Sequence, residues 1–172
     1  MKKVFSKYGQ IIVAALAALV VVMGFLPAVS QTVEFLGESK TYSYSLFEVA
    51  FGKTLAEGDF GGLLGGSSKI QFSILNVLAI LLPVAAAVVS FVIKGKNGAL
   101  IAAGCLLVAA ILLFLVPSMS SIASEASILG ETSKDVKSFA ELEYGLGAGA
   151  ILGAILAILG AGASAVRFIS EK

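Results

Sequence analysis

Residues 144–166, YGLGAGAILGAILAILGAGASAV, decide how this chain is read. The stretch carries no charge, is rich in glycine, and is followed at once by Arg167. As a helix it reaches the roughly 30 Å needed to cross a bilayer core. Glycine weakens a helix in water, but in lipid it lets two backbones approach closely. Gly145, Gly149 and Gly153 recur at intervals of four and are expected on one helix face, with Gly149-x-x-x-Gly153 as a packing seam. What packs there is the functional question.

Three further apolar runs flank it: Ile11–Val29, Ile70–Ile93 and Ala99–Val116. Of the 172 residues, 58% are hydrophobic and 13% charged, and the mean hydropathy is +1.01. Soluble domains are about 45–50% apolar and about 25% charged, so the composition is that of an integral membrane protein. The expected fold class is an all-α membrane protein, a four-transmembrane-helix bundle with small outer loops. Its spans fall at about 9–29, 70–93, 99–117 and 144–166. They are joined by an outer loop at 30–69, an inner turn at 94–98 and an outer loop at 118–143, with an inner tail at 167–172.

Charge orients these spans. The N-terminus, the 94–98 turn and the tail hold seven cations against Glu171, a net +6. The two longer loops hold five lysines against ten acids, a net −5, which together give the overall +1. Cytoplasmic segments keep the excess Lys and Arg, so both termini are expected inside and both long loops outside. The MKK start and alanine-rich helices suggest a bacterial plasma membrane. Nothing in this charge pattern points to nucleic acid.

The first run admits two readings. MKKVFSKYGQ and Ile11–Leu26 resemble the opening of a signal peptide, and Ala28-Val29-Ser30 would allow cleavage before Gln31. The apolar run is long for that role, which favours a retained helix. The first outer loop then alternates in places: Val33 and Phe35 before Gly37-Glu38-Ser39-Lys40, Tyr42 and Tyr44 after it. A short β-hairpin is expected there. Ser45-Leu46-Phe47-Glu48 has the spacing of a capping box, so a short helix should open at Leu46 and end at Gly52. That helix would bring Phe47 and Phe51 together. The pair reads either as a docking patch for a partner or as cover for the helix ends. The glycine-rich stretch Glu57–Ser68 has no phosphate-loop spacing and reads as a strap.

In the second run, Pro83 should free the carbonyl of Ala79 and kink the helix. Asn76, placed about two turns below the outer surface, needs a hydrogen-bond partner on a neighbouring helix. It is also the best intramembrane candidate for a ligand or ion contact. Pro117 is expected to close the third run. In the second outer loop, Ser138-Phe139-Ala140-Glu141 repeats the capping spacing, so the fourth helix should start in water with Glu141 and Glu143 in its first turns.

Catalytic chemistry finds little material. The sequence has no histidine and one cysteine, Cys105, inside an apolar run. No acid, lysine or arginine lies well inside any of the four runs, where ion-coupled transporters usually carry them. Ser73, Ser90 and Ser164 have no base beside them in sequence. No catalytic residue, metal ligand or cofactor is assigned. The layout, with a long first and a shorter second outer loop, is similar to that of claudin- and peripheral-myelin-type tetraspan proteins. The likeness is one of topology, since the tryptophans and cysteine pair of those loops have no counterparts here.

The leading expectation is a non-catalytic scaffold or accessory subunit. Beyond the lipid bilayer, its partner would be another membrane or envelope protein, or a second copy of itself. The alternative is a small oligomeric channel or transporter component, with Asn76, Pro83 and the glycine helix lining its path.

Overall fold

The computed structural model describes residues 2–35, 38–54, 67–93, 95–120, 122–128, 131–133 and 141–170. It is mostly helical, with small sheets gathered at one end. In chain order the elements are α1 (Lys2–Met23), β1 (Pro27–Phe35), β2 (Glu38–Ser45), α2 (Leu46–Phe51), β3 (Lys53–Thr54) and β4 (Ser67–Ile70). Then come α3 (Ile74–Val92), α4 (Lys96–Met119), β5 (Ile122–Ile128), β6 (Glu131–Ser133), β7 (Glu141–Leu146) and α5 (Ala148–Ser170). Among the described residues three helices, α3, α4 and α5, are long and apolar enough to cross a membrane. The apolar part of α1, Tyr8–Met23, is shorter.

The long helices pack as a closed ring: α1 against α3, α3 against α4, α4 against α5, and α5 back against α1. Successive helices run antiparallel. Ser73, which caps the start of α3, donates its hydroxyl to the carbonyl of Met119 at the end of α4. Small side chains let the helices meet closely. Ala79 and Ala86 on α3, Ala102 and Ala109 on α4, and Ala150, Ala154 and Ala157 on α5 are all buried. Their spacing of three, four or seven residues is that of one helix face turned to a common core. The outward faces carry Leu, Ile, Val and Phe, the pattern of a helix whose solvent is lipid.

The expected all-α architecture is corrected, because both loops form strands. β1 pairs antiparallel with β2, and its other edge pairs with β7, giving the order β2-β1-β7. A second sheet runs β3-β4-β5-β6. Each sheet therefore joins the first loop to the second. The expected hairpin is present as β1 and β2, with Glu38–Lys40 inside β2 rather than in the turn. The first helix ends at Met23 rather than near 29, because Pro27 opens a strand that runs through the candidate cleavage position. Helix α4 passes through Pro117 to Met119.

The fourth helix begins later than its sequence suggests. Glu141–Leu146 is strand β7, and α5 opens at Ala148. Glu141 and Glu143 thus belong to a strand rather than to a helix N-terminus. The Ser138 capping box and most of the glycine strap, residues 57–66, lie outside the described residues.

Candidate functional site

The residues singled out in the sequence gather mostly where the sheets meet the bundle. Helix α2 is the corner piece. Ser45 accepts the backbone N–H of Glu48 on its hydroxyl, and the Glu48 carboxylate accepts the Ser45 backbone N–H at 2.9 Å. Two of the four free donors at the helix start are thereby satisfied. Glu48 also accepts from the Lys53 ammonium at 2.6 Å. That hydrogen bond is the main reason its carboxyl is held below the usual range, with backbone and hydroxyl bonds from Ser45 helping and burial opposing. Gly52 ends the helix at φ 80°, and a side chain there would meet the carbonyl of Ile70.

The inner face of α2, Leu46, Val49 and Ala50, is buried. Phe47 and Phe51 occupy the other face with ring centroids 6.5 Å apart, and the Phe25 ring lies 4.5 Å from Phe47. Phe47 is half-buried and packs over Gly24 at the close of α1. Phe51 remains 60% exposed. Of the two phenylalanines, one covers a helix end and the other stacks on it with most of its surface exposed.

Asn76 sits in the first turn of α3 rather than two turns into it, because α3 opens only at Ile74. It is fully buried. Its amide donates to the carbonyl of Val49 on α2 at 3.4 Å and to the Ser120 hydroxyl beyond α4 at 3.1 Å. The Ser120 hydroxyl donates in turn to the carbonyl of Val116. One side chain thus joins α2, α3 and the close of α4, while its own Oδ1 meets no partner among the described residues. Pro83 is also buried, inside a helix that continues on both sides of it.

The glycine seam is used within the chain and lacks its first member. Gly145 is in β7, opposite Ser30 on β1, so it shares no helix face with the others. Gly149 lies against the end of α1, where an added Cβ would stand 2.7 Å from the carbonyl oxygens of Met23 and Leu26. Gly153 faces Leu113 of α4 and Met23 of α1. Gly162, by contrast, has nothing within 4 Å of the position its Cβ would take.

The sequence alone marks Arg167 only as a charge at the membrane edge. It lies inside the last turn of α5 and is 1% exposed. Its stem passes over Gly9 of α1, and Nη1 donates to the carbonyl of Ser90 on α3 at 3.3 Å. That carbonyl is among the last four of α3, which have no partner within the helix. The only sequence signal for this contact is a glycine in α1 at the right height. Ser164, one turn earlier, is fully buried, and its hydroxyl has no partner among the described residues. Cys105 is a half-buried free thiol against the core.

Among the described residues no three His, Cys, Asp or Glu side chains converge as a metal site would require. Compared with protein-family models, with curated proteins and with solved structures, the chain matches none.

Proposed function

We propose that this is a non-catalytic integral membrane protein, a scaffold or accessory subunit that binds another membrane or envelope protein through its sheets. In this reading all four long helices cross a plasma membrane, bacterial by the style of the N-terminus, with both termini in the cytoplasm and the sheets outside. Helix α1 is included as the fourth span on its packing against α3 and α5, its apolar part, Tyr8–Met23, covering about 24 Å. The lysines at positions 2, 3 and 7 would then sit at its cytoplasmic end.

One observation carries the proposal: both outer loops condense into hydrogen-bonded sheets mounted on a closed, alanine-packed bundle. A loop that merely connects two spans has no need of such order. Sheet β2-β1-β7 turns Val29, Gln31 and Tyr44 inward and leaves Thr41 and Ser43 exposed on β2. β2 is an edge strand of its sheet, a place where a partner's extended segment can pair. The channel reading has less support. Asn76 and Pro83 are buried within one chain, so a path between several copies could not be lined by them unless the bundle opened.

The test is a tagged pull-down from native membranes in mild detergent, read by mass spectrometry together with native mass. A second protein at fixed stoichiometry, lost when Thr41 and Ser43 are replaced by arginine, is the expected outcome. A homo-oligomer without a second protein, conducting ions or solutes in liposomes, would overturn it.

A further inference from the structure

We infer that Phe25, Leu26, Phe51 and Phe72 form an anchor seated in the bilayer, at the level where acyl chains meet headgroups on the sheet side. Such an anchor requires that α3, α4 and α5 span the membrane, as in the function proposed above. It assigns the α2 corner to lipid, and so leaves the sheets as the surface for a protein partner.

Three separate segments place a large apolar side chain at this one junction. Phe25 follows α1, Phe51 closes α2, and Phe72 leads into α3; they are 70%, 60% and 60% exposed. They are held together by backbone contacts. The Ser73 N–H donates to the carbonyl of Ala50, and Gly52 packs against the backbone of Phe72. The half-buried Phe47 ring lies between Phe25 and Phe51 and fixes both in place.

Continuity identifies what covers them. Towards the membrane, α1 presents Leu19 and Val22, and α3 presents Ile74, Leu75 and Leu78, all exposed and apolar. The aromatic ridge is the rim of that same surface, and the occupant of the helix faces is lipid. The change to water is marked on α2 itself. Glu48 and Lys53 form their ion pair beside the ridge, with the lysine one residue beyond the turn at Gly52. Rings at the boundary and a charged pair just above it are the arrangement of an interfacial segment. Standing in water instead, the same ridge would be an aggregation hazard.

The chain contains no tryptophan, so a single introduced indole reports its own surroundings. Phe51→Trp and Phe72→Trp would be purified and placed in phosphatidylcholine–phosphatidylglycerol liposomes without any partner. Leu107→Trp, on the outward face midway along α4, reports on spanning. Both ridge variants should emit at shortened wavelength and be quenched more by a nitroxide high on the acyl chain than by one near its end or by aqueous iodide. Long-wavelength emission quenched by iodide would overturn the inference. So would protection from every quencher, which would mean that protein covers the ridge. If Leu107→Trp is not quenched by the deep nitroxide, the spanning reading fails and the anchor fails with it. A pull-down of the unaltered chain that brings down no second protein, with normal ridge quenching, would overturn the proposed function alone.

Discussion

At the sheet end of the bundle a neutral amide, Asn76, ties α2, α3 and the close of α4 together; at the far end a charged guanidinium, Arg167, reaches from α5 over α1 to α3. The sheet end does not depend on its amide alone. Backbone bonds cross the same junction, from Leu46 to Gly24, from Ser73 to Ala50 and from Gly147 to Ala28. The far end has fewer such crossings among the described residues. Redundant weak bonds secure one end, and a stronger, charged bond carries more of the other. A hydrogen bond to a charged group contributes about 1.5–3 kcal/mol, against about 1 for a neutral one. The ends should therefore respond differently to losing a single side chain.

The largest effect is expected where backbone meets backbone. Gly149→Leu would drive a side chain into the carbonyls of Met23 and Leu26, which cannot rotate away. Separating α1 from α5 should cost about 3 kcal/mol. Gly162→Leu on the same helix points into open space and should change stability by less than about 0.5 kcal/mol. Thermal unfolding in detergent, followed by circular dichroism, would compare the two. Equal losses would mean that helix propensity, and not the α1–α5 contact, governs glycine in α5.

At the far end, Arg167→Met keeps much of the apolar stem but removes the bond from Nη1 to the carbonyl of Ser90. A loss of about 2 kcal/mol is expected, partly recovered by Arg167→Lys. At the sheet end, Asn76→Leu removes two hydrogen bonds, yet it also removes a buried oxygen that has no partner among the described residues. These terms oppose each other, so the net loss should be nearer 1 kcal/mol. If Asn76→Leu proves the more damaging of the two, the sheet end is not redundantly held.

The same contrast explains what the sequence discloses. The capping box at Ser45 and Glu48, the Phe47–Phe51 pair and the existence of a hairpin before them, though not its start at Pro27, are set by neighbours a few residues apart, and they can be read directly. Strand β7 cannot. Glu141–Leu146 pairs with Val29–Glu34, more than a hundred residues earlier, and nothing local marks that partnership. The capping spacing at Ser138 and the glycine-rich apolar run beyond it favour a helix instead, which misplaces Gly145. Arg167 is hidden for a related reason. Counting charges along the chain places a cation at the membrane edge, but only the packed bundle shows that Gly9 makes room for its stem.

The smallest predicted effect isolates the ion pair from the cap. Glu48 ionises below its ordinary range in the folded protein, chiefly through the bond from Lys53. A carboxylate with a depressed folded pKa adds stability that is fully present above its unfolded pKa, near 4.5. That stability is lost as pH falls through the lower folded value. The sheet end should therefore loosen below about pH 4, while neutral pH leaves it unchanged. Both partners are partly solvent-exposed, so the pair itself contributes only a few tenths of a kcal/mol. Lys53→Met removes the pair and keeps the capping box, whereas Glu48→Gln removes the charge and leaves an amide that can still accept from Ser45. Hydrogen exchange of the α2 amides between pH 3 and 6 would separate the two contributions. If Lys53→Met abolishes the acid-dependent loosening, the ion pair causes it; if the loosening persists undiminished, the carboxylate acts through its bonds to Ser45, and the cap rather than the lysine sets the acid sensitivity of α2.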